Sequence, residues 1–278
     1  MALMSRNAIV PVGLLSMALA GLMPVASTAA QATNALATHR AVYDIKLKEA
    51  SERSGISGMY GRMVYEFDGS PCDGYTVNFR FVTQIESGDQ SQVTDQQTTT
   101  YEDIREQTFR FVTRTFVDRQ LQSEVKGAAH DDGETLSLEL EAPEARRLDL
   151  PDSLFPTRHM IDLLERAGNG ERFYEARVFD GSDDGDEAMI TTTIIGTRSL
   201  EEASTAVTSA LSGRSYWPVS ISYFHENSTG DAIPVYTIAF KLYDNGVSKD
   251  LTMDYGEFSL EGHLTGLEMF DAVSCEGR

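Results

Sequence analysis

The sequence predicts a mainly β protein: one single-domain, antiparallel fold with one α-helix. Three observations carry that prediction. Apolar and polar residues alternate with period two through most of the chain beyond residue 41. Only one stretch has convincing helical spacing, and helices do not alternate with strands as a parallel βαβ sheet requires. No compositional shift or internal repeat divides residues 33–278, a length that a single all-β domain accommodates. With 41% hydrophobic and 9% aromatic residues, the chain has ample material for a core.

Residues 1–32 carry the pattern of a secretory leader rather than of fold. Arg6 is the only charge there, followed by the apolar stretch Ala8–Ala20, then Leu22-Met23-Pro24 and a run of small residues. Ala30-Gln31-Ala32 fits an A-x-A cleavage site, with Thr28-Ala29-Ala30 competing; an uncleaved anchor is the alternative, disfavoured by Pro11, Gly13 and the short span.

Alternation then begins. Ala41, Tyr43, Ile45 and Leu47 oppose Asp44, Lys46 and Lys48, and Met63, Tyr65 and Phe67 lead to the turn Asp68-Gly69-Ser70-Pro71. Tyr75, Val77, Phe79, Phe81 and Ile85 alternate with Thr76, Asn78, Arg80 and Gln84; Phe109, Phe111 and Val117 oppose Arg110, Arg114 and Asp118; Leu136, Leu138 and Leu140 oppose Ser137, Glu139 and Glu141. Half-buried antiparallel strands with one wet face produce this pattern. Ser153–Ala167 is the expected helix, with Pro156 in its first turn, Met160, Ile161, Leu163, Leu164 and Ala167 on its apolar face, and Gly168 as a stop. Leu200–Leu211 gives a weaker helix or loop. Tyr216–Phe224 returns to strand, its Pro218 favouring an edge or end position. Tyr236–Leu242, the hairpin turn Asp244-Asn245-Gly246, Leu251–Tyr255 and Phe258–Leu264 complete the series, and Gly256, Gly262 and Gly266 permit bends or bulges.

The charge balance, 43 acidic against 23 basic residues for a net −20, argues against nucleic acid and against anionic lipid headgroups as partners. Past the leader no apolar run is long enough to span a membrane. Two cysteines are too few for a Cys-based zinc cluster or an iron–sulfur site. Cys72 and Cys275 lie far outside C-x-x-C spacing, so in an oxidising compartment they read most simply as one structural disulfide, with two free thiols as the alternative.

Catalytic signatures are sparse. No two of His39, His130, His159, His225 and His263 stand at i, i+4, and no metal, phosphate-loop, dinucleotide or G-x-S-x-G motif occurs. Ser123 and Lys126 match S-x-x-K, but in a strand-like segment without its companion motifs. His159 reads as a surface or capping residue of the helix, and His39 as a terminal strand residue. Asp180–Glu187 offers oxygens at the early positions of an EF-hand loop, but Thr191 stands where the bidentate Glu belongs, so a solvated hairpin loop is the better reading. Asn227-Ser228-Thr229 matches a glycosylation sequon.

Several stretches together carry a family resemblance: His39-Arg40-Ala41-Val42-Tyr43-Asp44, Gly58–Gly74 ending in Ser70-Pro71-Cys72-Asp73-Gly74, Gln96–Asp103, Leu154–Met160, Phe179–Asp183, Leu242–Ser248 and Cys275. In order and over essentially the whole chain past the leader, they resemble the EipB family of periplasmic cell-envelope integrity proteins, long known as a domain of unknown function. The resemblance implies an antiparallel β-spiral, or partly open barrel, wrapped around one helix and closed by a Cys72–Cys275 disulfide. It also implies a periplasmic, non-enzymatic role in envelope integrity, and a fold similar to lipoprotein carriers that hold acyl chains.

Two functions follow as expectations. In the first, a crevice binds an envelope lipid, a lipoprotein acyl chain or a periplasmic protein, without cofactor or metal, along a groove with Phe79, Phe81, Phe111, Met253 and Tyr255 as candidate walls. In the second, a hydrolase uses dispersed residues such as His159 or the Asp183/Asp184 loop.

Overall fold

The structure is a computed structural model that describes residues 36–202, 205–226, 232–271 and 275. The expected leader and the sequon lie outside the described residues. In chain order the strands are β1 (His39–Ala50), β2 (Gly58–Ser70), β3 (Gly74–Ser87), β4 (Gln90–Asp103), β5 (Thr108–Val117), β6 (Gln120–Asp131), β7 (Thr135–Ala142) and β8 (Arg146–Pro151). The helix α1 (Pro156–Gly168) follows, then β9 (Phe173–Val178), β10 (Met189–Ile195), β11 (Ser199–Leu200), β12 (Ser215–His225), β13 (Tyr236–Tyr243), β14 (Ser248–Asp254) and β15 (Phe258–Met269).

All fifteen strands form one antiparallel sheet that does not close into a barrel. Its first and last strands, β1 and β15, pair at the middle, and both arms wind outward from them: β2 to β8 on one side, β14 back to β9 on the other. The two free edges, β8 and β9, are consecutive in the chain and α1 joins them, so the helix crosses the seam. Leu154 draws the edges together by a single parallel bridge to Val178: its N–H donates to the Arg177 carbonyl at 2.9 Å, and its own carbonyl accepts from Phe179 at 2.9 Å.

Period-two patterning sorts the inner from the outer face. Ala41, Tyr43 and Ile45 of β1, with Trp217, Val219 and Ile221 of β12, face inward and form the main core with Leu163, Leu164 and Ala167 of α1. A second core fills the inner face of the outlying arm: Phe109 and Phe111 of β5 with Leu136, Leu138 and Leu140 of β7, roofed by Phe155 and Phe179. A third, on the outer face, buries Tyr243 and Val247 under Leu211. Register shifts in the β1–β15 ladder fall opposite Gly266 and beside Leu47, where extra residues bend the sheet.

The helix starts three residues later than the spacing predicts. Ser153 and Leu154 are extended instead, because the Ser153 N–H is held by the buried Asp131 carboxylate at 2.9 Å and Leu154 belongs to β9's bridge. Pro156 then takes the first helical position, where a missing N–H costs nothing. The next two N–H groups, of Thr157 and Arg158, donate to the two oxygens of Glu102 on β4 at 2.7 and 2.8 Å. Glu102 is 2% exposed, so a buried carboxylate from the sheet caps the helix in place of a local side chain.

Pro218 is not at an edge of the sheet, as its type suggested, but inside β12 between β10 and β13. Its carbonyl accepts from Gly196 at 2.6 Å, just past the end of β10 and before β11, so its missing N–H falls in the gap between those two partners. Leu200–Leu211 starts on the last residue of the two-residue β11 and, among its described residues, holds a short 3₁₀ turn at Ser209–Leu211 rather than an α-helix. Cys72, in the β2–β3 turn, is bonded to Cys275 with Cα atoms 6.0 Å apart, tying the C-terminus to an early hairpin.

Two stability experiments follow. Cys72→Ser and Cys275→Ser should each lower the unfolding free energy by about 2–5 kcal/mol, and the double change by little more, since either removes the same bond; additive losses in urea unfolding would contradict it. Glu102→Ala should cost about 2–4 kcal/mol by stranding two buried N–H groups, and a loss inside surface scatter of about 0.5 kcal/mol would show that the helix does not depend on it.

Candidate functional site

The inner face is not wholly filled. A cavity of about 410 Å³ lies between β1–β3, the first turn of α1 and β12–β14. Met63, Tyr65 and Phe67 reach it from β2 and Phe79 from β3, while Ile221 and Tyr223 of β12 and Ile238 and Phe240 of β13 stand across from them. Each set consists of residues two apart on one strand, so one parity of the alternation supplies the wall. Pro156, Thr157, His159 and Met160 close the helix side. At one end Leu36 packs on Gly246, whose φ of +88° suits the hairpin turn and whose added Cβ would come within 2.7 Å of the Leu36 side chain. The Ala37 N–H fixes that closure by donating to the Asn245 carbonyl at 2.9 Å.

Most polar groups on the wall have identifiable partners. Tyr43 Oη donates to the Ser248 carbonyl at 2.7 Å, and the Tyr223 and Tyr236 hydroxyls bond to each other with their rings stacked 4.3 Å apart. His39 is buried, and its Nδ1 lies 2.7 Å from the Ala37 carbonyl, which makes that nitrogen the donor of a neutral ring. Burial is what lowers the His39 pKa, against the partial opposition of that hydrogen bond. Asp180 is the carboxylate on the wall, and it pushes up the pKa of the Tyr223 and Tyr236 phenols beyond the larger effect of their burial.

The five groove candidates are dispersed. Phe79 lines the cavity. Phe81, one inward position further along β3 with its ring 6.3 Å away, packs against the main core instead. Phe111 needs correction: it lies in the second core, stacked 5.7 Å from Phe109 and edge-on to Phe179 at 5.7 Å. Met253 is buried within the main core and does not reach the cavity. Tyr255 is 38% exposed and does not line the cavity; its ring stacks 5.0 Å from Phe258 and 6.1 Å from Tyr236, which in turn stacks on the lining residue Tyr223. Alternation identifies the inward face of each strand but not which stretch of that face the helix and the second core cover.

The chemical candidates are corrected as well. His159 is neither a surface nor a capping residue: it is 5% exposed, tilted against the Tyr174 ring at 5.5 Å, and its Nε2 has no hydrogen-bond partner among the described residues. Burial drops its pKa to about 4. Asp183 and Asp184 are exposed at the tip of the β9–β10 loop, but that loop is more than a solvated connection. Gly181, at φ +69°, lies flat on Phe111, where an added Cβ would come within 2.5 Å of the ring, so the loop seals the second core. Lys126 of the S-x-x-K match pairs with Glu141 on the outer face. Among the described residues no group of three or more His, Cys, Asp or Glu is placed to hold a metal ion.

Residues 30–271 match the sequence model of the EipB-like family. The chain belongs to that family. One EipB-like relative, the cell envelope integrity protein EipB of Brucella abortus (strain 2308), is 49% identical over 249 residues, 88% of either chain. A crystal structure of a beta-barrel-like protein of a domain of unknown function, also from Brucella abortus, superposes with a TM-score of 0.82 at 48% identity, covering 85% of this chain and 99% of that one. No helix among the described residues is long and apolar enough to cross a membrane.

Burying a neutral histidine in the cavity wall of this EipB-like chain carries a pH signature. The folded pKa of His159, about 4, lies below its ordinary 6.5, so the unfolded chain holds the extra proton between those values. The contribution of His159 is therefore fully present above about pH 6.5 and falls as the pH drops, by about 3 kcal/mol near pH 4. Unfolding free energies measured from pH 7 to 4 should show the wild-type chain losing that much relative to His159→Leu; parallel pH profiles for the two would refute it.

Proposed function

We propose that this chain is a non-enzymatic periplasmic protein that supports the integrity of the cell envelope by holding an acyl chain in its cavity. The observation that carries the reading is the cavity itself: about 410 Å³, within the range of small-molecule sites, and walled by Met63, Phe79, Ile221, Ile238 and Phe240. Such walls favour a long apolar chain, because its removal from water is worth about 0.8 kcal/mol per methylene and needs no directional partner. They offer nothing to a bond-breaking step. His159, the best placed base, is neutral and unpartnered, and no nucleophile stands within hydrogen-bond reach of it among the described residues. The envelope role is supported by the relative from Brucella abortus that is named for it, and the periplasmic location by the leader-like residues 1–32.

Thermal melting in the presence of long-chain amphiphiles below their micelle concentrations tests this. A ligand bound only by the native state, at a hundredfold excess over its Kd, should raise the midpoint by about 5–10 °C. Ile238→Trp, which projects a larger ring into the cavity, should abolish the shift relative to its own ligand-free midpoint. A wild-type midpoint indifferent to every amphiphile would overturn the reading.

A further inference from the structure

Two neighbouring side chains of the cavity wall each carry a polar atom with nothing to bond. Tyr65 and His39 face the cavity from neighbouring strands, their ring centroids 5.8 Å apart. Tyr65 Oη has no hydrogen-bond partner among the described residues, unlike the Tyr43, Tyr223, Tyr236 and Tyr243 hydroxyls. Because His39 Nδ1 serves the Ala37 carbonyl, its Nε2 carries a lone pair and takes no hydrogen bond from any described residue. On this stretch of the wall one acceptor, His39 Nε2, therefore neighbours one hydroxyl able to donate, and both are neutral; the other unpartnered atoms of the lining, His159 Nε2 and Asn245 Nδ2, come from the helix and from the β13–β14 turn.

Charge decides what fits there. The charge that acts on Tyr65 is that of Glu102, and both of its oxygens are already taken by the helix N–H groups. A carboxylate or phosphate lodged beside Tyr65 would face that charge with no cation to pair it, and an unpaired buried charge is strongly disfavoured. A bare methylene would leave both polar atoms unmet. An alcohol satisfies both, donating to His39 Nε2 while accepting from Tyr65 Oη.

We propose that the cavity selects an acyl chain bearing a hydroxyl group, with that hydroxyl bound between Tyr65 and His39. The inference rests on the acyl-chain reading above and specifies its ligand. A hydroxyl two carbons from the carboxylate would bring that charge beside Tyr65, so the bound hydroxyl is the one at the far end of the chain, and the test separates the two positions. Binding of myristate, beta-hydroxymyristate and omega-hydroxymyristate is measured by isothermal titration below micelle concentrations, for the wild-type chain and for Tyr65→Phe. Omega-hydroxymyristate should bind about tenfold more tightly than myristate, as two neutral hydrogen bonds warrant, and beta-hydroxymyristate no more tightly than myristate; a preference for the beta-hydroxy chain would overturn the charge argument and with it this proposal. Tyr65→Phe should bring omega-hydroxymyristate to the affinity of myristate; since the ring is kept, its melting midpoint, measured alongside, reports folding, and His39→Phe should remove the same preference from the acceptor side. Equal wild-type affinity for all three chains overturns this proposal and leaves acyl binding standing, as does a preference that survives both substitutions. Failure of all three to bind overturns both.

Discussion

The two hydrogen bonds between the Glu102 carboxylate and the first free N–H groups of α1 are the constraint on which the rest of the structure depends. An open sheet has two edges and an apolar inner face, and something must cover both. Here one helix does so by crossing from edge strand β8 to edge strand β9, which fixes where its first turn must lie. Phe155 before that turn roofs the second core, and His159 and Met160 within it wall the cavity. Moving the helix end would therefore disturb both compartments at once. Burial pushes the Glu102 pKa up while the Thr157 and Arg158 N–H groups pull it back, so the same two bonds that seat the helix also keep a carboxylate tolerable in the interior. Asp131 acts in the same way one step earlier, holding Ser153 and setting the path into Leu154.

The edges show how a fifteen-stranded open sheet avoids pairing with another. β8 is short, carries Arg146, Arg147 and Asp149, and ends in Pro151, features that discourage a further strand. β9 is protected differently: Leu154 takes the backbone groups of Arg177 and Phe179, and α1 packs alongside. The disulfide works at the opposite place, the middle of the sheet, where the chain's end returns to the β2–β3 turn.

Legibility in the sequence followed alternation closely. β1–β3 and β12–β15 have clean apolar parity, and both the strands and their inward residues were readable from it. β4 was not, because its inward positions Gln96, Thr98 and Thr100 are polar and its decisive residue, Glu102, is an ordinary acid by type. No local pattern marks a carboxylate whose partners lie 55 and 56 positions away. The same non-locality hid His159: helical spacing put it on α1 but could not show which parts of that helix the sheet encloses. Pro218 was misread because a proline tolerated only where a ladder bond is missing suggests an edge, whereas here the missing bond lies in a gap between two neighbours of an interior strand. The Cys72–Cys275 pairing was legible from the cysteine count and export pattern, which left only one partner for each thiol.

Of the candidate site, the sequence supplied the kind of surface but not its extent, and the reason is volumetric. The apolar stripe runs continuously around the inner face of the spiral, yet only part of it is open. In the outlying arm, Phe109, Phe111, Phe155 and Phe179 stack and cross within 5.1–6.5 Å of one another, and the Gly181 loop lies directly on them, so four rings and a glycine turn consume the space. Between β1–β3 and β12–β14 the helix contributes only its first turn to the lining, and about 410 Å³ stays open. One patterning rule thus yields a packed core in the outlying arm and a cavity around the middle of the sheet. What divides them is where a single helix enters, and that position is set by the carboxylate on β4.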